Sequence, residues 1–452
     1  MTLLRPGSLD TVLRAQNPWW MTGVPTSRGA AARPRALDAR LATDEQALLL
    51  EGPRRSGKSA ALRRLVDARL RGGARPRDLA YVDLDHALLR LEPLGPLVDR
   101  LLKLMEPEER PWVLLDGLQT LPDWPARFKE LIATRPRAHF VAATSVSAGE
   151  PPDGYESVRV PPMRFREVCA LRGLPDLGAP ELDPVQLALP DASDPADDYL
   201  FQRVLEPLLA DYLVRGGFPD AAMPIDPAEG RVDVREAAVA RAVYQDLPGV
   251  VQVNTQADLE KTLLATLLHG SAPLHVEAFS DSLGLDSKTL GRYHDHLERA
   301  HLLVSLRNFA ASTERSRPRL FPADPALPNA YLERGAEVLA DPEARRELLA
   351  GAVVSHLSDY AQERGFDLAY FREGDVEADL VLVTPEGALP ILLVDREEVG
   401  EEEATRVDRL MKRTDSRRAI LLSRARPRRR EALNFFESVD HLPVAYFLYA
   451  LA

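Results

Sequence analysis

The chain has 452 residues, of which 45% are hydrophobic and 28% charged, and a formal net charge of −12. That length calls for roughly two to four domains rather than one core, and the composition excludes a largely disordered chain. The acidic balance argues against a protein coated in nucleic acid while leaving room for a local basic face.

The single cysteine, Cys169, rules out an internal disulfide, and nine scattered histidines offer no zinc cluster. His294, His296 and His301 are close in sequence but lack the spacing and carboxylate of a metalloprotease helix. With no signal-peptide pattern at the start and no apolar run of membrane-spanning length, the expectation is a soluble cytoplasmic protein.

Residues 1–46 read as a leader docked on the domain after it, because the adjacent tryptophans of Asn17-Pro18-Trp19-Trp20 would be costly to expose. Residues 47–160 alternate strand and helix, the pattern of a doubly wound parallel sheet. The organising stretch lies at its start. Ala47–Leu50 is a short buried strand, Gly52-Pro53-Arg54-Arg55-Ser56-Gly57-Lys58-Ser59 matches the P-loop pattern, and Leu62, Leu65, Val66 and Leu70 recur at helical spacing. Such a loop turns backbone N–H groups around a polyphosphate, so glycines are needed where a side chain would collide with the ligand. Lys58 is expected on the β- and γ-phosphates and Ser59 on Mg²⁺, with the N-terminus of the helix aimed at the same charge. The competing reading is a glycine turn with an incidental lysine.

Further strands are expected at 79–85, 112–116 and 139–145, with a helix over 97–104. The third strand ends in Asp116, placed to hold the water shell of Mg²⁺. The fourth ends in Thr144 and Ser145, hydroxyls that could reach the terminal phosphate or its attacking water.

Residues 161–250 read as a helical lid and linker, broken by a Pro/Asp-rich stretch at 174–198. Arg215-Gly216-Gly217-Phe218-Pro219 ends a helix abruptly and reads as a hinge. Residues 251–330 suggest a winged helix-turn-helix: helices at 259–268, 276–283 and 287–300, a turn at Gly284, then strands at 302–306 and 319–321. Lys288, Arg292 and Arg299 on its third helix, and Arg307, Arg315, Arg317 and Arg319 on its wing, could neutralise phosphates. Asp286, Asp295 and Glu298 dilute that face, so DNA and protein contact stay open. Residues 340–452 form a second α/β unit with an arginine-dense run at 424–430, most simply a solvated face.

Six stretches together resemble one group: NPWW at 17–20, GPRRSGKS at 52–59, LLDGLQTLPDW at 114–124, PPMRFREV at 161–168, RGGFPD at 215–220 and the Ala-Asp strand at 377–381. They are similar to prokaryotic AAA-type P-loop ATPases of the AAA+ superfamily that carry a winged helix and a C-terminal restriction-endonuclease-like domain of unknown function. The resemblance spans nearly the whole chain. It implies an ATP-dependent switch that generally hydrolyses its nucleotide. The motif itself places Gly52, Pro53, Arg54, Arg55, Ser56, Gly57, Lys58, Ser59 and Ala60 around the nucleotide, Ser59 and Asp116 on Mg²⁺, and Thr144 where it could sense the nucleotide.

The departures from that pattern shape the functional expectation. The family places a water-polarising glutamate after the strand-ending aspartate, and here that position is Gly117. Loss of such a base costs on the order of 10²- to 10⁴-fold in rate. Where the family has Gly-Arg before the PPMRF stretch, this chain has Gly154-Tyr155. In the last domain Glu377 and Asp379 match the first acids of a nuclease, but Leu392-Leu393-Val394-Asp395-Arg396 holds no Glu-x-Lys, so a nuclease-like fold without cleavage is expected. The leading expectation is an ATP-binding switch with weak or absent hydrolysis. One rival is a competent ATPase using Asp83, Asp85 or a neighbouring subunit. The other is a nucleic-acid or protein docking module with a structural P-loop.

Overall fold

The computed structural model describes residues 7–24, 35, 37–41, 47–149, 154–174, 182–186, 204–223, 226–250, 255–310, 317–374, 376–424 and 439–451. Much of the leader beyond residue 24, most of the 174–198 linker, Arg315 and the arginine run at 425–430 lie outside them. The chain divides into two compact units. The first comprises 1–161, 237–256 and 299–301; the second comprises 162–236, 257–298 and 302–452.

The first unit is built on a parallel sheet of five strands, β1 (Ala47–Glu51), β2 (Leu79–Asp83), β3 (Trp112–Asp116), β4 (His139–Thr144) and β5 (Glu156–Arg159), in the order β2-β3-β4-β1-β5. β1 to β4 are continuous apolar runs because helices cover both faces of such a sheet, and Leu48 to Leu50, Ala80 to Val82, Val113 to Leu115 and Phe140 to Ala143 are all buried. The covering helices are amphipathic. Leu94–Met105, for example, buries Leu94, Leu97, Val98, Leu101 and Met105 along one face. The strand order sets β4 between β1 and β3, with Glu51 beside Thr144 and Asp116 beside Ala143, which brings three strand ends to one edge.

β2 would be a bare sheet edge, and the leader covers it. Asn17 brackets the backbone of Tyr81, its Nδ2 donating to the carbonyl at 2.9 Å and its Oδ1 accepting the N–H at 2.7 Å. Both indole N–H groups, of Trp19 and Trp20, donate to the Leu79 carbonyl. The tryptophan pair is thus packing, and it also supplies the hydrogen bonds a further strand would have made.

The second unit holds a seven-stranded mixed sheet in the order β12-β11-β10-β9-β8-β6-β7. Its strands are β6 (Leu303–Asn308), β7 (Arg319–Pro322), β8 (Asp367–Glu373), β9 (Val376–Thr384), β10 (Gly387–Val394), β11 (Ala419–Ser423) and β12 (Val439–Pro443). Helices Gln256–His269, Val276–Leu283 and Ser287–Arg299 precede the antiparallel β6–β7 pair, and Gly284 makes the left-handed turn between the last two at φ 70°.

The 251–330 and 340–452 segments share one sheet, since β6 runs parallel to β8 and the Asn308 side chain clasps the backbone of Arg372 through both its amide atoms. The 161–250 segment does not stay together: 162–236 belongs to the second unit and 237–256 to the first. Nor is Gly216-Gly217 a loose hinge. A Cβ on Gly216 would lie 1.8 Å from Asp324 Oδ1, and one on Gly217 would lie 2.0 Å from the Met163 carbonyl oxygen. The Gly217 N–H donates to Asp324 at 2.8 Å, and burial raises that carboxyl to about 7. Among the described residues no helix is long and apolar enough to cross a membrane.

Candidate functional site

β1 ends at Glu51 and passes through Gly52–Gly57 into helix Lys58–Arg71. Gly57 carries the turn at φ 100°, a left-handed conformation that side chains resist. Gly52 is required for a different reason than ligand approach. A Cβ there would sit 2.0 Å from the Val160 carbonyl oxygen, so the close neighbour is the chain's own backbone after β5.

The Lys58 ammonium is buried and donates to the carbonyls of Gly52 at 2.7 Å and Pro53 at 2.6 Å, curling under the loop. Burial lowers its pKa to about 8, while Asp116 and Asp246 pull the other way. The Ser56 hydroxyl is buried with no hydrogen-bond partner, and Ser59, half-buried, spends its hydroxyl on nothing among the described residues. Arg55 is exposed at φ 66°, and Pro53 is buried. Ala60 is half-buried in the first turn of the helix.

Asp116 is nearly buried and accepts the Tyr81 hydroxyl at 2.6 Å; Arg63 in turn donates to Tyr81 at 3.1 Å. Burial first, and the Asp116 charge second, raise the pKa of neighbouring Asp83. Thr144 is turned to local work, its hydroxyl donating to the Val146 carbonyl at 3.0 Å. Ser145 instead donates its hydroxyl to Asp246.

Asp246 is a residue that sequence reasoning missed. It is 1% exposed and takes a bidentate pair from Arg54, Nε to Oδ2 and Nη2 to Oδ1 both at 2.6 Å. Arg54 also donates Nη1 to Asp85 at 3.1 Å. The one available signal was an acid set between the apolar residues Val243 and Leu247. Gly117 follows Asp116 at φ 87°, its N–H bonded to the Ala143 carbonyl, and a Cβ there would lie 3.8 Å from Asp85 Oδ1.

Residues 44–169 match an AAA domain family model. Residues 206–337 match a second model, a domain of unknown function designated DUF8612. No curated protein matches the chain. Among solved structures, AMPPCP-bound DnaA from Aquifex aeolicus aligns at 13% identity over 58% of this chain and 84% of its own, with a TM-score of 0.23. PCH-2 of C. elegans aligns at 12% identity over 64% and 69%, TM-score 0.22, and VC1899 from Vibrio cholerae at 12% over 89% and 95%, TM-score 0.20.

Outside residues 44–169, the basic residues expected to neutralise phosphates differ in exposure and in partners. Lys288 is exposed; Arg292 is half-buried, its Nη2 on Thr289 at 3.4 Å and its Nε without a partner. Arg317 is exposed but bonded to His275 at 2.8 Å. Arg299 is counted with the first unit, where its Nε donates to the Ser147 carbonyl at 3.0 Å. Arg319 is buried, with Nε on the Ser271 carbonyl at 2.6 Å. In the C-terminal sheet the acids face arginines. Glu377 pairs with Arg319 at 3.3 Å, Asp379 with Arg346 at 2.8 Å, and Asp395 with Arg345 at 2.8 Å and Arg424 at 2.6 Å. Among the described residues no group of three or more His, Cys, Asp or Glu is arranged to hold a metal.

Proposed function

We propose that the protein is an MgATP-binding AAA-type switch that hydrolyses its nucleotide slowly or not at all. Its nucleotide state would be relayed to residues 251–330, read as a winged helix, and 340–452, read as a nuclease-like domain without cleavage. The observation that carries this reading is the donor set at the end of β1: a desolvated ammonium on Lys58, an orphaned buried hydroxyl on Ser56 and an uncommitted hydroxyl on Ser59, around a glycine turn that opens a helix. These groups fit a polyphosphate. Lys58 would neutralise it, the N–H groups of 52–60 would cradle it, and Ser59 with Asp116 would hold Mg²⁺, whose charge offsets that of the phosphates. Gly117 has no side chain to polarise water, which supports slow turnover.

A titration of the full chain with MgATP, run beside a single-turnover assay of phosphate release, tests this. Micromolar binding with release slower than about one per hour is expected, against the 1–100 per second typical of kinases. No saturable binding would end the reading.

Nucleotide affinity should also depend on pH. Lys58 sits at about 8 in the free protein, and a bound polyphosphate favours its ammonium form, so binding takes up a proton above that pH. Affinity is expected to be flat below about pH 7.5 and to fall by up to about tenfold per unit above pH 8. Calorimetry in two buffers of different ionisation enthalpy reads the proton directly. A flat affinity up to about pH 10 would remove Lys58 from the phosphates.

One observation favours the competent-ATPase reading: the Asp85 carboxylate lies where a side chain at position 117 would point. Steady phosphate release that Asp85→Asn reduces by about 10²-fold or more would decide for it.

A further inference from the structure

Asp246 is distant in sequence from the phosphate loop, yet its carboxylate is seated among the donors of that loop. It accepts both Nε and Nη2 of Arg54, the second free position of the motif, and the hydroxyl of Ser145, the residue after β4. Its flanks anchor it, with Ala242, Val243 and Leu247 buried around the short helical turn Ala242–Asp246. Among the described residues the exposed Asp85 also shares Arg54, accepting Nη1 at 3.1 Å and Nη2 at 3.5 Å. The charge of Asp246 is also felt at Lys58, whose pKa burial lowers and Asp116 and Asp246 raise. A buried anion held at the edge of a sheet that collects cations for an anionic ligand is a competitor for that ligand, since two like charges in one desolvated space disfavour each other.

We propose that Asp246 is a tethered competitor of the nucleotide's phosphates: it holds Arg54 in the free protein and surrenders it when a nucleoside di- or triphosphate enters the loop. This rests on the reading of the loop as a nucleotide site. Asp246 thereby sets the nucleotide affinity. Segment 237–256, counted with the first unit although residues 162–236 before it and 257–298 after it belong to the second, loses its tie to the loop when the exchange occurs. The nucleotide would then be reported along the chain as release of that segment.

A purely structural ion pair predicts the opposite, because removing Asp246 would leave Arg54 misdirected and binding weaker. The test uses the full chain, with Asp246→Asn, which keeps the shape and one acceptor for Arg54, Asp246→Ser, and Arg54→Gln. MgADP and a non-hydrolysable MgATP analogue are titrated by calorimetry, thermal melting confirms folding, and amide hydrogen exchange is followed over 237–256. Expected are about tenfold tighter binding by the folded Asp246 variants, weaker binding by Arg54→Gln, and faster exchange over 237–256 when nucleotide is added to wild type. Folded Asp246 variants that bind no tighter than wild type, or nucleotide-induced slowing of exchange in that segment, overturn the competitor role while leaving the nucleotide site standing. Absence of binding by wild type and all three variants, each folded, overturns both.

Discussion

Lys58→Ala is expected to weaken MgATP binding by about 100-fold while leaving the protein folded. The magnitude reflects the loss of a charge-assisted contact to the phosphates, worth about 1.5–3 kcal/mol. Among the described residues the same ammonium donates to the carbonyls of Gly52 and Pro53 alone. Folding should therefore change little, because removing a desolvated ammonium offsets the two lost hydrogen bonds. Calorimetric titration with melting temperatures alongside separates the two effects. An affinity within about threefold of wild type would mean that Lys58 is an internal prop and the loop a mere turn.

What the sequence made legible and what it hid divide along a physical line. Strands buried on both faces write themselves as apolar runs, so 47–50, 112–116 and 139–144 were readable, as was the glycine–lysine turn between β1 and its helix. The three helices ahead of β6 were also readable, since Leu290, Tyr293 and Leu297 repeat at helical spacing on one buried face. Contacts between residues far apart in the chain leave no such trace. Nothing local to Asp246 names Arg54, and nothing near Gly216-Gly217 names Asp324 or Met163, so a packed junction read as a hinge. The joining of β6 to β8 rests on two backbone pairs and one asparagine clasp, too little to mark either segment. Arg299 looked outward on a helical wheel because a wheel shows which face a residue occupies, and not what chain arrives there.

Gly52→Ala is expected to be the most damaging single methyl within residues 44–169. Gly52 does not adopt a positive φ, so an alanine suffers no backbone strain of its own; its difficulty is the Val160 carbonyl, with oxygen 2.0 Å and carbon 2.8 Å from the added Cβ. That carbonyl cannot easily retreat. The Val160 N–H is bonded to the Glu51 carbonyl at 2.6 Å, and Arg35 spans the next residue and the loop, donating to the carbonyls of Pro161 at 3.2 Å and Ser56 at 2.7 Å. Relief requires parting β1 from the chain after β5, at a cost of about 3 kcal/mol or more, and it moves the loop that carries Lys58. Gly73→Ala provides the control. At φ 89° with no atom within 4 Å of its Cβ position, Gly73 would incur only left-handed strain, about 1–2 kcal/mol. Urea denaturation of the two variants beside wild type, with MgATP titration of each, should rank Gly52→Ala well below Gly73→Ala in stability and leave it alone without measurable binding. If the two lose equal stability, the Val160 carbonyl yields more readily than its hydrogen bonds imply, and the rigidity attributed to the cradle at the end of β1 is misplaced.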